Sequence, residues 1–191
     1  MEVAGLILMG GRNSRMDGKK KAYLTYRNRY FYQLAAEAMG DIPVYLSVSR
    51  QEQQTEERLL YPVVEDCYTG IGPVGGIASG LQSLPVRALL VAPCDLPLLD
   101  KRLIELLLDS WRRTGLPAAA ESEGWINPLV AIYTKDCLPV LQQQIRDGNY
   151  RASHCMRQLP HTTIDVSQHG IAPECLQNIN NWSDYNQLIN H

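Results

Sequence analysis

The amino-acid sequence predicts an α/β fold built on a mostly parallel, twisted sheet with helices on both faces. Three observations carry this expectation. Short strand-like runs alternate with segments of helical periodicity along the whole chain. Two of those runs, residues 3–8 (VAGLIL) and 88–92 (ALLVA), lack any polar side chain, as strands covered on both faces do. Glycine-rich or acidic clusters follow several strands, which is where the ligand crevice of a doubly wound sheet lies. At 191 residues, with 45% hydrophobic and 20% charged residues, the chain is sized for one globular domain, residues 1–191, and not composed for a fibre or for disorder.

The first strand, residues 3–8, empties into Met9-Gly10-Gly11-Arg12-Asn13-Ser14-Arg15-Met16-Asp17-Gly18-Lys19-Lys20-Lys21. Its three glycines let backbone N–H groups close on an anion, and Arg12, Arg15, Lys19, Lys20 and Lys21 carry more charge than one phosphate uses. A polyphosphate suits this density, although a solvated basic surface loop has the same composition. The spacing fits neither a Walker loop nor a dinucleotide fingerprint, because Lys20 follows Gly18-Lys19 and no Gly-x-Gly-x-x-Gly occurs.

Residues 31–39 repeat apolar positions with helical spacing and stop at Gly40, and residues 43–48 form the second strand. Residues 51–58 are a polar helix or connection without evident chemistry. A third strand, residues 62–66, ends in Glu65 and Asp66 and leads into a second glycine-rich loop, residues 69–76, with a helix over 77–84. The strand at 87–92 ends in Pro93-Cys94-Asp95-Leu96-Pro97, where Asp95 is either a ligand group or a turn former. Asp100 caps an amphipathic helix over 101–113. Strands follow at 116–120 and 127–133, helices at 137–145 and 152–159, and a strand at 162–166. The chain closes with Asn178-Ile179-Asn180 and a helix over 183–189 capped by Ser183.

A formal net charge of −2 argues against nucleic acid or an anionic membrane surface as partner, so the basic cluster is local and its ligand small. The first apolar run is short, opens with Glu2 and lacks a basic leader, and no stretch reaches the ~20 apolar residues of a membrane span; a cytoplasmic protein is expected. Cys67, Cys94, Cys137, Cys155 and Cys175 form no Cys-x-x-Cys pair, and His154 and His161 beside Cys155 match no zinc spacing, so reduced thiols are expected.

In a doubly wound sheet the first loop, Asp66 with the second glycine loop, Asp95, and Asn178 with Asn180 converge on the carboxyl edge. Glycines and cations bind polyphosphate, and an acid at a neighbouring strand end holds the Mg²⁺ that accompanies it. No Ser-His-Asp order or Gly-x-Ser-x-Gly elbow offers a nucleophile. Nucleotidyl transfer to a phosphate monoester needs none, since such a phosphate, with a second pKa of about 6, is largely ionised at neutral pH. What the protein must supply is alignment and charge neutralisation.

With these residues assembled, the chain resembles the nucleotidyltransferase superfamily of Rossmann-like folds, and within it the molybdenum cofactor guanylyltransferases. Leu8-Met9-Gly10-Gly11, Ser14-Arg15-Met16 and Lys21-Ala22-Tyr23-Leu24 stand in the places of that family's opening pattern. Glu65-Asp66, Gly72-Pro73-Val74-Gly75-Gly76, Pro93-Cys94-Asp95-Leu96-Pro97 and Asn178-Ile179-Asn180 follow in the family's order. Met9, Asp17 and Lys20 depart from the usual alanine, glycine and acidic or amide residue.

The resemblance implies GMP transfer from GTP to molybdopterin, with or without molybdenum, and with Mg²⁺ as cofactor. Leu8, Gly10, Gly11, Arg15, Lys21, Asp66 and Asp95 would bind the nucleotide, with Arg15, Lys21 and Asp95 catalytic and Asp95 the metal ligand. Asn178 and Asn180 would lie on the far wall, close to the metal or to the acceptor's phosphate. It also implies a molybdoenzyme or cofactor chaperone as downstream partner. Cytidylyl or sugar-phosphate transfer by the same fold, and a non-catalytic nucleotide-binding or cofactor-delivery module, remain open as alternatives.

Overall fold

The structure, a computed structural model, describes residues 1–9, 20–49, 59–68 and 70–190. In chain order its strands are β1 (Val3–Leu8), β2 (Thr25–Tyr26), β3 (Arg29–Tyr30), β4 (Val44–Val48), β5 (Val63–Glu65), β6 (Ala88–Pro93), β7 (Ala118–Ser122), β8 (Trp125–Thr134) and β9 (Thr162–Asp165). Its helices are α1 (Phe31–Ala38), α2 (Pro73–Ser83), α3 (Lys101–Thr114), α4 (Cys137–Arg146), α5 (Ala152–Gln158) and α6 (Trp182–Ile189).

Among the described residues one sheet carries seven strands in the order β5-β4-β1-β6-β8-β7-β9, and β2 pairs with β3 in a separate hairpin. Strands β5, β4, β1 and β6 run parallel, β8 runs antiparallel to both β6 and β7, and β9 pairs parallel with β7. The expected mostly parallel sheet is therefore present, with one reversed strand that the alternating pattern did not announce.

Alternation of side chains across the pleat splits the core in two. Ile7, Leu46 and Leu90 point to the face covered by α1 and α3, where Ala35, Leu103, Ile104 and Leu107 meet them. Leu6, Leu8, Leu89 and Val91 point to the opposite face, covered by α2, α4 and α5 through Ile77, Leu141 and Met156. Helices thus lie on both faces, and the apolar runs of β1 and β6 are what two-sided burial requires. No helix among the described residues is long and apolar enough to cross a membrane.

Several boundaries differ from the sequence expectation for physical reasons. Helix α2 begins at Pro73, not at residue 77, because Gly72 at φ +74° turns the chain into a first turn that Pro73 can occupy without an N–H to satisfy. Gly75 and Gly76 therefore lie inside a helix. A Cβ on Gly76 would stand 2.5 Å from Ser47 Oγ and 3.0 Å from Leu8 Cδ2, so this glycine seats α2 directly on β4 and β1. The strands expected at 116–120 and 127–133 form a hairpin whose turn residues Glu123 (φ +53°) and Gly124 (φ +78°) both take the left-handed conformation. The last helix is capped by Asn181, not Ser183: Asn181 accepts from Asp184 N at 2.9 Å. Residues 51–58 lie outside the described residues.

Candidate functional site

From β1 the chain builds outward to β4 and β5 on one side, and β6 lies on the other. The strand order therefore reverses between β1 and β6, which opens a crevice at their carboxyl ends. Cys94 N donates to Leu8 O at 3.2 Å, extending the parallel pairing past the end of β6 and holding the next residue, Asp95, at that crevice. Leu96 behind it is fully buried, which fixes the turn from inside the protein.

Lys21 reaches the same point from a short 3-10 turn, Lys21–Tyr23. Ala22 and Leu24 are buried beneath that turn, and the Tyr23 ring meets Tyr30 and Tyr32 edge-on at centroid distances of 5.7 and 5.9 Å, so the backbone that presents Lys21 is packed on two sides. Lys21 Nζ donates to Asp95 Oδ2 at 3.1 Å and to Asn180 Oδ1 at 2.8 Å. Both charged side chains are mostly withdrawn from solvent, 17% and 16% exposed, where a hydrogen-bonded ion pair is less screened than at the surface.

Asn180 belongs to a segment stitched to the strand end, because Ile179 N donates to Asp95 O at 3.0 Å. The Asn180 N–H donates to Asp184 Oδ2 at 2.7 Å, inside the α6 capping box, so the cap that starts α6 also orients the asparagine. Ile179 and Leu188 pack with Leu24 and Phe31, and Tyr185 OH donates to Thr25 O at 2.8 Å. The C-terminal helix thereby rests on the part of the chain that carries Lys21. Asn178 is half-buried beside Ile179.

Asp66 stands at the carboxyl end of β5. Its Oδ1 accepts from Tyr68 N at 2.8 Å and from Ser79 Oγ at 3.1 Å, and Ser79 Oγ accepts from Cys67 N at 2.9 Å. The carboxylate therefore organises the turn from β5 into α2, and a Cβ on Gly75 would come within 2.8 Å of Tyr68 O and 3.1 Å of Asp66 Oδ1. Ser79 is a residue that the sequence reading passed over; its signal is a hydroxyl on the buried face of a glycine-rich helix. Leu8 is buried between β1 and α2, so its side chain belongs to the core and its carbonyl to Cys94 N. Gly10, Gly11 and Arg15 lie outside the described residues.

The second oxygen of Asp95, Oδ1, is buried and has no hydrogen-bond partner among the described residues. Such an oxygen is costly unless something positive meets it. A hard divalent cation fits: Mg²⁺ takes oxygen donors and often only one or two protein carboxylates, the rest coming from water and phosphate. A full protein cage is not on offer, since no group of three His, Cys, Asp or Glu gathers among the described residues. The arrangement can thus neutralise phosphate with Lys21, present a carboxylate to a phosphate-borne cation, and offer an amide alongside.

Comparison with known proteins gives three kinds of likeness. Residues 5–163 match the MobA-like NTP transferase domain family. A Bacillus subtilis strain 168 protein named "probable molybdenum cofactor guanylyltransferase" is 30% identical over 188 residues, covering 95% of this chain and 92% of its own. The crystal structure of molybdopterin-guanine dinucleotide biosynthesis protein A from Archaeoglobus fulgidus superposes with a TM-score of 0.83 at 18% identity, covering 100% of this chain and 97% of its own. A Mycobacterium tuberculosis H37Rv protein solved in complex with manganese superposes at a TM-score of 0.67 and 15% identity, over 100% and 98% of the two chains. The two structural likenesses show the fold.

Proposed function

We propose, from the premise that this chain belongs to the MobA-like NTP transferase family, that the nucleotidyl group it transfers is GMP and that the acceptor is molybdopterin. The observation that carries the reading is the meeting of Lys21, Asp95 and Asn180 at the crevice between β1 and β6. The base follows from the resemblance: Gly10-Gly11 and Gly72-Pro73-Val74-Gly75-Gly76 stand where the cytidylyl branch has other residues.

In this reading the acceptor's phosphate oxygen attacks the α-phosphorus of GTP, the bond from that phosphorus to the pyrophosphate oxygen breaks, and pyrophosphate leaves. The attacking phosphate is already largely ionised, so no general base is required. Leu8, Gly10, Gly11 and Arg15 would bind the triphosphate, and Asp66 holds the turn on the nucleoside side. Lys21 moves its charge from Asp95 to the phosphates, where it stabilises the charge that builds on the leaving group. Asp95 would hold Mg²⁺, which when bound neutralises phosphate charge. Asn178 and Asn180 face the acceptor phosphate. The reaction belongs to the cytoplasm, and a molybdoenzyme or a cofactor chaperone takes the product.

Mass analysis of the product tests this directly. With GTP, molybdopterin and Mg²⁺ the expected result is molybdopterin guanine dinucleotide and one equivalent of pyrophosphate. A cytidylyl adduct when GTP and CTP compete at equal concentration, or bound GTP with no pyrophosphate released, would overturn it.

A further inference from the structure

The β7–β8 hairpin holds a feature that nucleotide binding does not use. The last β6–β8 pair is Val91 with Ala131, so the residues of β8 before it stand past the paired end of β6, on the edge that carries Asp95. Between Ala119 and Ala120 the β7–β8 register jumps from Ala131 to Asn127, a bulge at the rim of the sheet of the sort that re-aims side chains. Beyond the bulge Trp125 is 80% exposed. It lines a cavity of about 680 Å³ together with Glu123 and Asn127 of the hairpin and Pro173, Glu174 and Gln177 of the C-terminal segment.

The second wall ties this cavity to the transfer site. Gln177 precedes Ile179 by two residues, about 7 Å of extended chain, and Ile179 N is bonded to the Asp95 carbonyl. The cavity therefore adjoins Asp95 on the β8 side of the sheet, whereas Asp66 is on the β4–β5 side. Its chemistry differs from that of the crevice. Among the described residues lining it none is lysine or arginine, and two are carboxylates with amides beside them. Such a lining rejects a phosphate and accepts hydrogen bonds from N–H groups, while the indole offers a flat apolar face. An aromatic heterocycle rich in N–H donors, attached to a phosphate that stays at Lys21, satisfies both halves at once.

We propose that this cavity binds the pterin ring of the acceptor, with Trp125 stacked on the ring and Glu123 and Glu174 accepting hydrogen bonds from its amino and amide N–H groups. The proposal rests on the guanylyl-transfer reading for the identity of the acceptor, and the cavity assigns residues to the recognition of its ring. Stacking on one aromatic residue is typically worth tenfold or more in affinity. At 80% exposure Trp125 can be removed without opening the core.

The test is a fluorescence titration of the full chain with 6-hydroxymethylpterin, a probe that carries the ring and no phosphate, beside steady-state turnover with GTP and molybdopterin. Expected results are an affinity for the probe about tenfold weaker in Trp125→Ala, within about threefold of wild type in Trp125→Phe, and several-fold weaker in Glu174→Gln. KM for molybdopterin should rise about tenfold in Trp125→Ala with KM for GTP unchanged. Wild-type affinity for the probe in both Trp125→Ala and Glu174→Gln, no binding of the probe by wild type, or equal competition by a sugar phosphate overturns the proposal. Wild type that makes the guanylyl product while Trp125→Ala keeps its KM for molybdopterin removes the cavity reading alone. Probe binding that depends on Trp125 and Glu174 in a protein that makes no guanylyl product supports the cavity and removes the guanylyl reading alone.

Discussion

A single ammonium group joins the two other polar side chains of the candidate site. Lys21 satisfies Asp95 and Asn180 simultaneously, and without it neither oxygen of the Asp95 carboxylate would be met by a cation among the described residues. In the proposed reading two roles would depend on the same atom: neutralising Asp95 when no nucleotide is present, and neutralising phosphate when one is. Removal of a single preorganised donor at a reacting charge costs about 10²–10³-fold in kcat, and Lys21→Ala is expected to lose at least that much. Arginine is a poor substitute, since a planar fork cannot reproduce a point charge shared between two acceptors. Asp95→Asn keeps the shape and removes the charge, so its defect should appear as a rise in the Mg²⁺ concentration needed for half-maximal rate as well as a lower kcat. Initial rates over a Mg²⁺ series measure both; a Lys21→Ala enzyme within threefold of wild type, or an Asp95→Asn enzyme with an unshifted Mg²⁺ curve, would count against these roles.

At the scale of elements, helix α3 shows how local chemistry and stability meet. Asp100 Oδ1 accepts from Arg102 N at 2.8 Å, and the Arg102 side chain hydrogen-bonds the same carboxylate, which holds the Asp100 carboxyl below the usual range. A carboxyl lowered by folding adds stability above its unfolded pKa, about 3.9, and loses it as pH falls through the folded value. Asp100→Ala should therefore cost about 1 kcal/mol at pH 7, the usual worth of such a cap, and the gap to wild type should narrow below about pH 4. Urea unfolding of both proteins at pH 7 and pH 3.5 measures it, and an equal gap at both pH values would refute the linkage. This cap was legible in the sequence because Asp100 and the amphipathic repeat after it are local signals. The first turn of α2 was not, because Gly75 and Gly76 read as loop residues unless one knows that Tyr68, Ser47 and Leu8 press against them. Nor does an apolar run state its direction, so β8 was found as a strand but not as the reversed one. Lys21, Asp95 and Asn180 were each legible by motif; that one lysine touches both others was not, because the contact joins residues 159 positions apart. Gly10, Gly11 and Arg15, read from the sequence alone, lie outside the described residues.

At the scale of the whole molecule, the candidate site joins segments far apart in the chain. Lys21 comes from the first turn after the glycine loop, and its partner Asn180 precedes α6, which is held by Leu188 and Ile179 against Leu24 and Phe31 and by Tyr185 OH on Thr25 O. This small apolar cluster is separate from the two large ones that cover the sheet, so a change that loosens α6 is expected to leave β1 and β6 folded. If the closure matters to transfer, loosening that cluster should affect the reaction from a distance. Leu188, 7% exposed and remote in sequence from Lys21 and Asp95, is the residue to cut. A buried Leu→Ala change costs about 2–5 kcal/mol, and here the loss should fall on the docking of α6 and not on the sheet. Leu188→Ala is expected to speed hydrogen exchange in α6 and in residues 177–181 by at least tenfold, leave the amides of β1 and β6 protected as in wild type, and lower kcat/KM for the acceptor several-fold. Exchange followed by mass spectrometry separates this from general destabilisation: faster exchange in β1 and β6 to the same degree, or unchanged transfer with α6 loosened, would show that the C-terminal helix supports the fold without completing the site.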